Sequence, residues 1–112
     1  MSKQKTLNSQ MIAKIFTSRK IILDLAKSRG FNIENYENFT INDILIMNTN
    51  KQLDMLLINN NTGKKIYYKY HLTTKIRGPH IQDYIEDIYS IDEVLKKVDD
   101  LIIVVKDKPN DV

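Results

Sequence analysis

Apolar and polar residues repeat along this chain with two different periods, and each change of period marks an element. Over residues 9–29, Ile12, Ile15, Phe16, Ile22, Leu23 and Ala26 recur with the three-and-four spacing of one helix face, and Gly30 follows as a stop signal. Arg19 falls on the same stripe, so it requires a carboxylate or carbonyl partner, or a path along which its guanidinium reaches water. The next twenty residues are mixed. Thr40 or Asn42 can cap a short helix over 43–47, which the polar "NTN" closes.

The period then drops to two. Leu53, Met55 and Leu57 alternate with Asp54, Leu56 and Ile58, and Ile66, Tyr68, Tyr70 and Leu72 alternate with Tyr67, Lys69 and His71, which predicts a β-hairpin. A turn centred on Thr62 and Gly63 sets Leu57 opposite Tyr68, Met55 opposite Tyr70 and Asp54 opposite His71. One face is then apolar, and the other carries Asp54, Leu56, Ile58, Tyr67, Lys69 and His71. Beyond it, Ile81, Tyr84, Ile85 and Ile88 form a second helical stripe. Ser90 with Glu93 reads as a capping box, predicting an acidic helix over 90–100 with Val94, Leu95 and Val98 inward. The run "LIIVV" at 101–105 has the character of a strand buried on both faces, and "KDKPNDV" ends the chain as a polar loop. Strands interleaved with helices give an α/β fold, a small mixed sheet flanked by helices.

At 112 residues the chain is expected to be one domain. It has no cysteine, which removes disulfides, thiolate metal sites and a cysteine nucleophile. No apolar run approaches the roughly 20 residues of a membrane span and the N-terminus lacks an apolar signal region, so a soluble, intracellular protein with no membrane partner is expected. The net charge of +3 is unevenly spread. Residues 1–29 hold seven lysines and arginines against Asp24 alone, and residues 61–80 hold five and no acid, whereas 81–100 hold seven acids against Lys96 and Lys97. Segregation of this kind steers an anion such as nucleic acid to one surface, although solvated helix faces also collect lysines.

Asp54 and Lys69 share one hairpin face at a diagonal spacing of about 7–8 Å in this register. A large class of metal-dependent nucleases sets an aspartate on one strand and acid-x-Lys on the next, because Mg²⁺ is held by carboxylate oxygens while the lysine supports the attacking water. Here the second acid's place is Tyr67, and a phenol with a pKa near 10 is a poor ligand for a hard cation. No catalytic or metal site is expected, and Asp54 reads as a strand residue paired with Lys69 or His71. His71 and His80 lack a third ligand at metal spacing. Tyr68 and Tyr70 alternate into the core, which leaves Tyr67 open. Gly30, Gly63 and Gly78 are isolated, so no phosphate loop and no cofactor is indicated.

The segment "SRKIILDLAKSRGF", with Arg19, Lys20, Ile22, Leu25, Arg29, Gly30 and Phe31, resembles the opening helix of the fifth subunit of eukaryotic-type DNA-directed RNA polymerases. The hairpin with "LDMLL" and an aromatic second strand, then "LIIVV" before a proline-containing loop, follow in the order of that subunit's N-terminal jaw domain. The resemblance implies a restriction-endonuclease-like, non-catalytic fold over 1–112, in partnership with the other polymerase subunits, chiefly the largest, and with downstream duplex DNA. It implies DNA contact through Lys106, Lys108, Pro109 and Asn110. It further implies that the chain is a fragment or half of a split subunit, since the family's C-terminal assembly module has no counterpart here. The acidic segment at 90–100 and the Ile-, Asn- and Lys-rich composition suggest a divergent version from a large DNA virus, placing it in the nucleus or in a viral factory and virion. A metal-dependent nuclease of the same fold and a free-standing basic nucleic-acid-binding protein are the alternatives.

Overall fold

The computed structural model describes the backbone of residues 2–72 and 74–105, and the side chains from residue 9 onward within those ranges. It is a small α/β fold. In chain order the elements are α1 (Ser2–Ser28), β1 (Phe31–Asn32), α2 (Ile41–Thr49), β2 (Met55–Asn59), β3 (Lys65–His71), α3 (Gly78–Ile85), a π-helical turn (Glu86–Ile91) and β4 (Asp100–Val105). The four strands form one mixed sheet in the order β1-β2-β3-β4. The chain divides into two compact units, Met1–Leu53 with Asn59–Asn61, and Asp54–Ile58 with Thr62–Val112.

In the first unit, Ile12, Ile15, Arg19, Leu23 and Ala26 are the buried positions of α1, so the predicted stripe holds with the arginine inside it. Arg19 is 2% exposed, and its Nη1 donates to the Leu53 carbonyl at 2.8 Å. Its guanidinium carbon also lies 5.7 Å from the centre of the Phe39 ring, which meets Phe16 edge-to-face at 5.2 Å. Of the partners open to Arg19, the structure shows a backbone carbonyl. Helix α1 stops where expected: Gly30 takes φ +90° and its N–H returns to the Lys27 carbonyl. A Cβ there would meet the Asn59 side chain at 3.3 Å, in a backbone region that L-residues avoid. Thr40 caps α2 reciprocally: the Asp43 N–H donates to the Thr40 hydroxyl, and the Thr40 N–H donates to the Asp43 carboxylate. The helix runs further than the predicted 43–47, with Ile44 fully buried.

In the second unit, β2 and β3 are antiparallel, with Met55 opposite Tyr68, Leu56 opposite Tyr67 and Leu57 opposite Ile66. The expected register is corrected by two residues, because the turn closes over 60–62, one position earlier than Thr62 and Gly63. The Asn61 N–H donates to the Asn59 side chain, the Lys64 N–H donates to the Thr62 hydroxyl, and Gly63 takes φ +76°. A slip of two keeps every side chain on its face. Met55, Leu57, Ile66 and Tyr68 are accordingly buried as predicted. Strand β4 lies parallel to β3, from Ile66 opposite Asp100 to His71 opposite Val105, and a parallel pair needs the crossover that α3 supplies.

Two expectations fail in this unit. No helix spans 90–100, because Ser90 is already inside the π-helical turn and cannot act as a cap. The Val94 and Leu95 N–H groups both return to the Ile88 carbonyl, and Glu93 takes φ +51°. The buried Asp99 carboxylate then accepts the N–H groups of Lys96 and Lys65, both at 2.8 Å. The Lys96 N–H foremost holds this acid below its ordinary range, with the Lys65 N–H and the two lysine charges acting the same way against burial. Nor is β4 buried on both faces: it is the last strand of the sheet order, and Ile102 is 40% exposed.

Leu57 is fully buried and Leu56 is half-buried on the opposite face. Leu57→Ala is expected to cost about 2–5 kcal/mol in urea unfolding, and Leu56→Ala clearly less. Equal losses would contradict the assignment of faces.

Candidate functional site

The hairpin face opposite the buried one gathers the chemistry-bearing side chains of the second unit. Asp54 immediately precedes β2, and continuing the observed register one step sets it opposite Lys69. The two charges that the expected register held diagonally apart meet directly, with Lys69 Nζ 3.0 Å from Asp54 Oδ2. The Tyr67 hydroxyl donates to the same oxygen at 3.1 Å, and the Tyr70 backbone N–H donates to Oδ1 at 2.9 Å. Both carboxylate oxygens are thus engaged by groups of β3. Tyr67, the residue standing where a nuclease has its second acid, is a donor to the first acid.

Helix α3 supplies the next layer. Tyr84 lies with its ring centre 5.1 Å from Lys69 Nζ, so the ammonium rests between a carboxylate and an aromatic face. The Tyr84 hydroxyl also hydrogen-bonds with Nδ1 of His71, whose Nε2 lies 3.1 Å from the Thr74 hydroxyl. The rings of His71 and His80 approach to 4.6 Å between centres. His80 is turned by its own helix start, since its Nδ1 accepts the Arg77 N–H at 3.0 Å, and Pro79 occupies the first turn, where a missing N–H is harmless. His71 is only 6% exposed, and that burial foremost, then the charges of His80 and Lys69, lower its pKa from the usual 6.5, against the Thr74 contact. The imidazole stays neutral further into acid than an ordinary histidine.

The arrangement binds itself. A divalent cation at Asp54 would compete with Lys69 and Tyr67 at Oδ2 and with the Tyr70 N–H at Oδ1, for one protein carboxylate. Among the described residues no group of three or more His, Cys, Asp or Glu side chains is placed to hold a metal. The four positions expected to meet DNA, Lys106, Lys108, Pro109 and Asn110, lie outside the described residues. They follow Val105, the last residue of β4, which pairs with His71. Sequence reasoning placed Asp54, Tyr67, Lys69 and His71 on one face but missed Tyr84 as their cover. The signal was its place on the apolar stripe of α3, where a phenol needs a polar partner.

Removing the carboxylate takes away the acceptor of the Tyr70 N–H, of the Tyr67 hydroxyl and of the Lys69 ammonium at once. Asp54→Ala is expected to destabilise the protein by about 1–3 kcal/mol. The partly exposed ammonium matters less, so Lys69→Ala is expected to cost about 1 kcal/mol or less. Urea unfolding of both variants measures this, and a larger loss for Lys69→Ala would contradict the bonding described.

No helix among the described residues is long and apolar enough to cross a membrane. No protein-family model, curated protein or solved structure matches the chain.

Proposed function

We propose that this chain is a non-catalytic jaw module of a multisubunit DNA-dependent RNA polymerase, a divergent one of the kind a large DNA virus carries, and that it meets downstream duplex DNA through phosphate contacts. The observation that carries this reading is the use made of the residues behind the resemblance. Arg19 is buried on the Leu53 carbonyl, Gly30 occupies a positive-φ helix stop, and Phe31 is 7% exposed directly after it. These three have a positional reason to be that residue type, which supports the resemblance.

The restriction-endonuclease-like reading of the fold belongs to the same proposal. Support for the non-catalytic reading comes from Asp54, an acid engaged by Lys69, Tyr67 and the Tyr70 N–H. The contact with DNA is assigned to Lys106 and Lys108 with Pro109 and Asn110, where Pro109 biases Lys108 toward extended backbone and Asp107 and Asp111 temper the charge. Such a loop positions a duplex and does not read its sequence. The module then works in the nucleus or a viral factory, wherever its polymerase is.

A tagged copy expressed in the native source is expected to co-purify with the largest polymerase subunit. In the assembled enzyme, Lys106→Ala with Lys108→Ala is expected to lower the salt slope of duplex binding by up to about 1.8, at about 0.9 per phosphate. Recovery without any polymerase subunit would overturn the assignment. An unchanged slope, with the loss appearing instead on mutating Lys14, Lys20 and Lys27, would move the DNA-facing surface to α1.

A further inference from the structure

Helix α1 carries a second pattern on the face opposite its buried stripe. Gln10, Lys14, Thr17, Ile21, Asp24 and Ser28 recur at alternating steps of four and three, and all six are exposed. That is the spacing of a helix that packs along its length against another helix. Ile21 is 55% exposed at the middle of this stripe, and Leu25 is 55% exposed at its flank. Beside Ile21 lies a shallow, mostly apolar depression lined by Ala13, Lys14, Thr17, Ser18 and Ile21. Residues 14, 17, 18 and 21 hold the four positions, spaced over two turns, that frame a side chain inserted from a facing helix. The Ser18 hydroxyl donates to the Ile15 carbonyl at 3.1 Å, so an apolar side chain seated there leaves that hydroxyl satisfied.

We infer that this face pairs with α1 of a second copy, antiparallel about a two-fold axis level with Arg19 along the helix. One register satisfies the apolar and the charged positions together. Thr17 stands opposite Ile21 of the second copy, and each Ile21 enters the depression on the other chain. One turn outward, Lys14 stands opposite Asp24 of the second copy, twice by symmetry. Among the described residues neither Lys14 nor Asp24 has an ion-pair partner within its own chain, so both charges are available. The aliphatic stem of Lys14 also covers Leu25 of the second copy. A parallel in-register pair would set Lys14 on Lys14 and Asp24 on Asp24, and an antiparallel pair slipped by one heptad would set Ile21 on Asp24. The charges of the face therefore complement a copy of the same face. The contact is isologous, so it closes at two copies, and its short apolar seam makes the dimer concentration-dependent. The inference is independent of the polymerase reading.

Sedimentation equilibrium of the chain over a concentration series tests it. The wild type is expected to show a monomer–dimer equilibrium. Lys14→Asp is expected to weaken association roughly tenfold, since two attractive pairs become repulsive, and adding Asp24→Lys is expected to restore it. Ile21→Lys, at an exposed position, is expected to leave a monomer that circular dichroism shows to be folded. The chain has no cysteine of its own, so an equimolar mixture of Lys14→Cys and Asp24→Cys chains reports the orientation, and mild oxidation is expected to join 14 to 24 in preference to like positions. A wild type monomeric throughout, a dimer indifferent to these changes, crosslinks between like positions, or growth into larger assemblies would each overturn the inference.

Discussion

The Asp54 carboxylate, held by one backbone N–H, one phenol and one ammonium from a single neighbouring strand, organises everything on its face of the second unit. The backbone bond weighs most, because losing the acceptor of a part-buried N–H costs more than losing a partly exposed ion pair. Lys69 then passes the constraint on. Fixed between Asp54 and the Tyr84 ring, it orients α3 over β3, and Tyr84 in turn fixes His71. The same contacts tie the hairpin to the helix that follows it.

Local rules were legible in the sequence, and non-local ones were not. The stripe of α1, the Gly30 stop and the Thr40 cap depend on residues three or four apart, so pattern alone found them. Hairpin faces were legible for the same reason, since alternation survives any slip of two. The register was not: it hinges on whether the Asn59–Asn61 side chains or Gly63 set the turn, and three consecutive asparagines make that choice invisible to periodicity. Ser90 and Glu93 match a capping box letter by letter, yet α3 continues through Ser90 as a π-helical turn, so the motif lacked the free helix start it needs. The run at 101–105 has a composition that fits burial on both faces, and composition does not tell a central strand from an edge.

The candidate site was half legible. Asp54, Tyr67, Lys69 and His71 were expected together, and the missing second acid at Tyr67 argued against a metal before any geometry was known. What the sequence withheld was that Tyr67 would turn its hydroxyl onto Asp54 and that Tyr84 would close the face. Both depend on contacts between elements, at separations of 13 residues, which no local spacing encodes. The same logic explains the basic segments: Lys64 and Lys69 are drawn into ion pairs with Asp100 and Asp54, so the excess charge of 61–80 is smaller in space than along the chain.

The central claim is that Asp54 is engaged by the hairpin through the Tyr70 N–H, the Tyr67 hydroxyl and Lys69, and the proposal that follows from it is that no cation binds there. Titration of the isotopically labelled chain with Mn²⁺, read as paramagnetic broadening of the backbone amides, tests it most directly. The account predicts no saturable broadening centred on Asp54, Tyr67 and Tyr70, and only weak, diffuse effects at the exposed acids Asp83, Glu86 and Asp87. Saturable broadening at Asp54 with release of Lys69 would contradict it and favour the alternative of a metal-dependent nuclease.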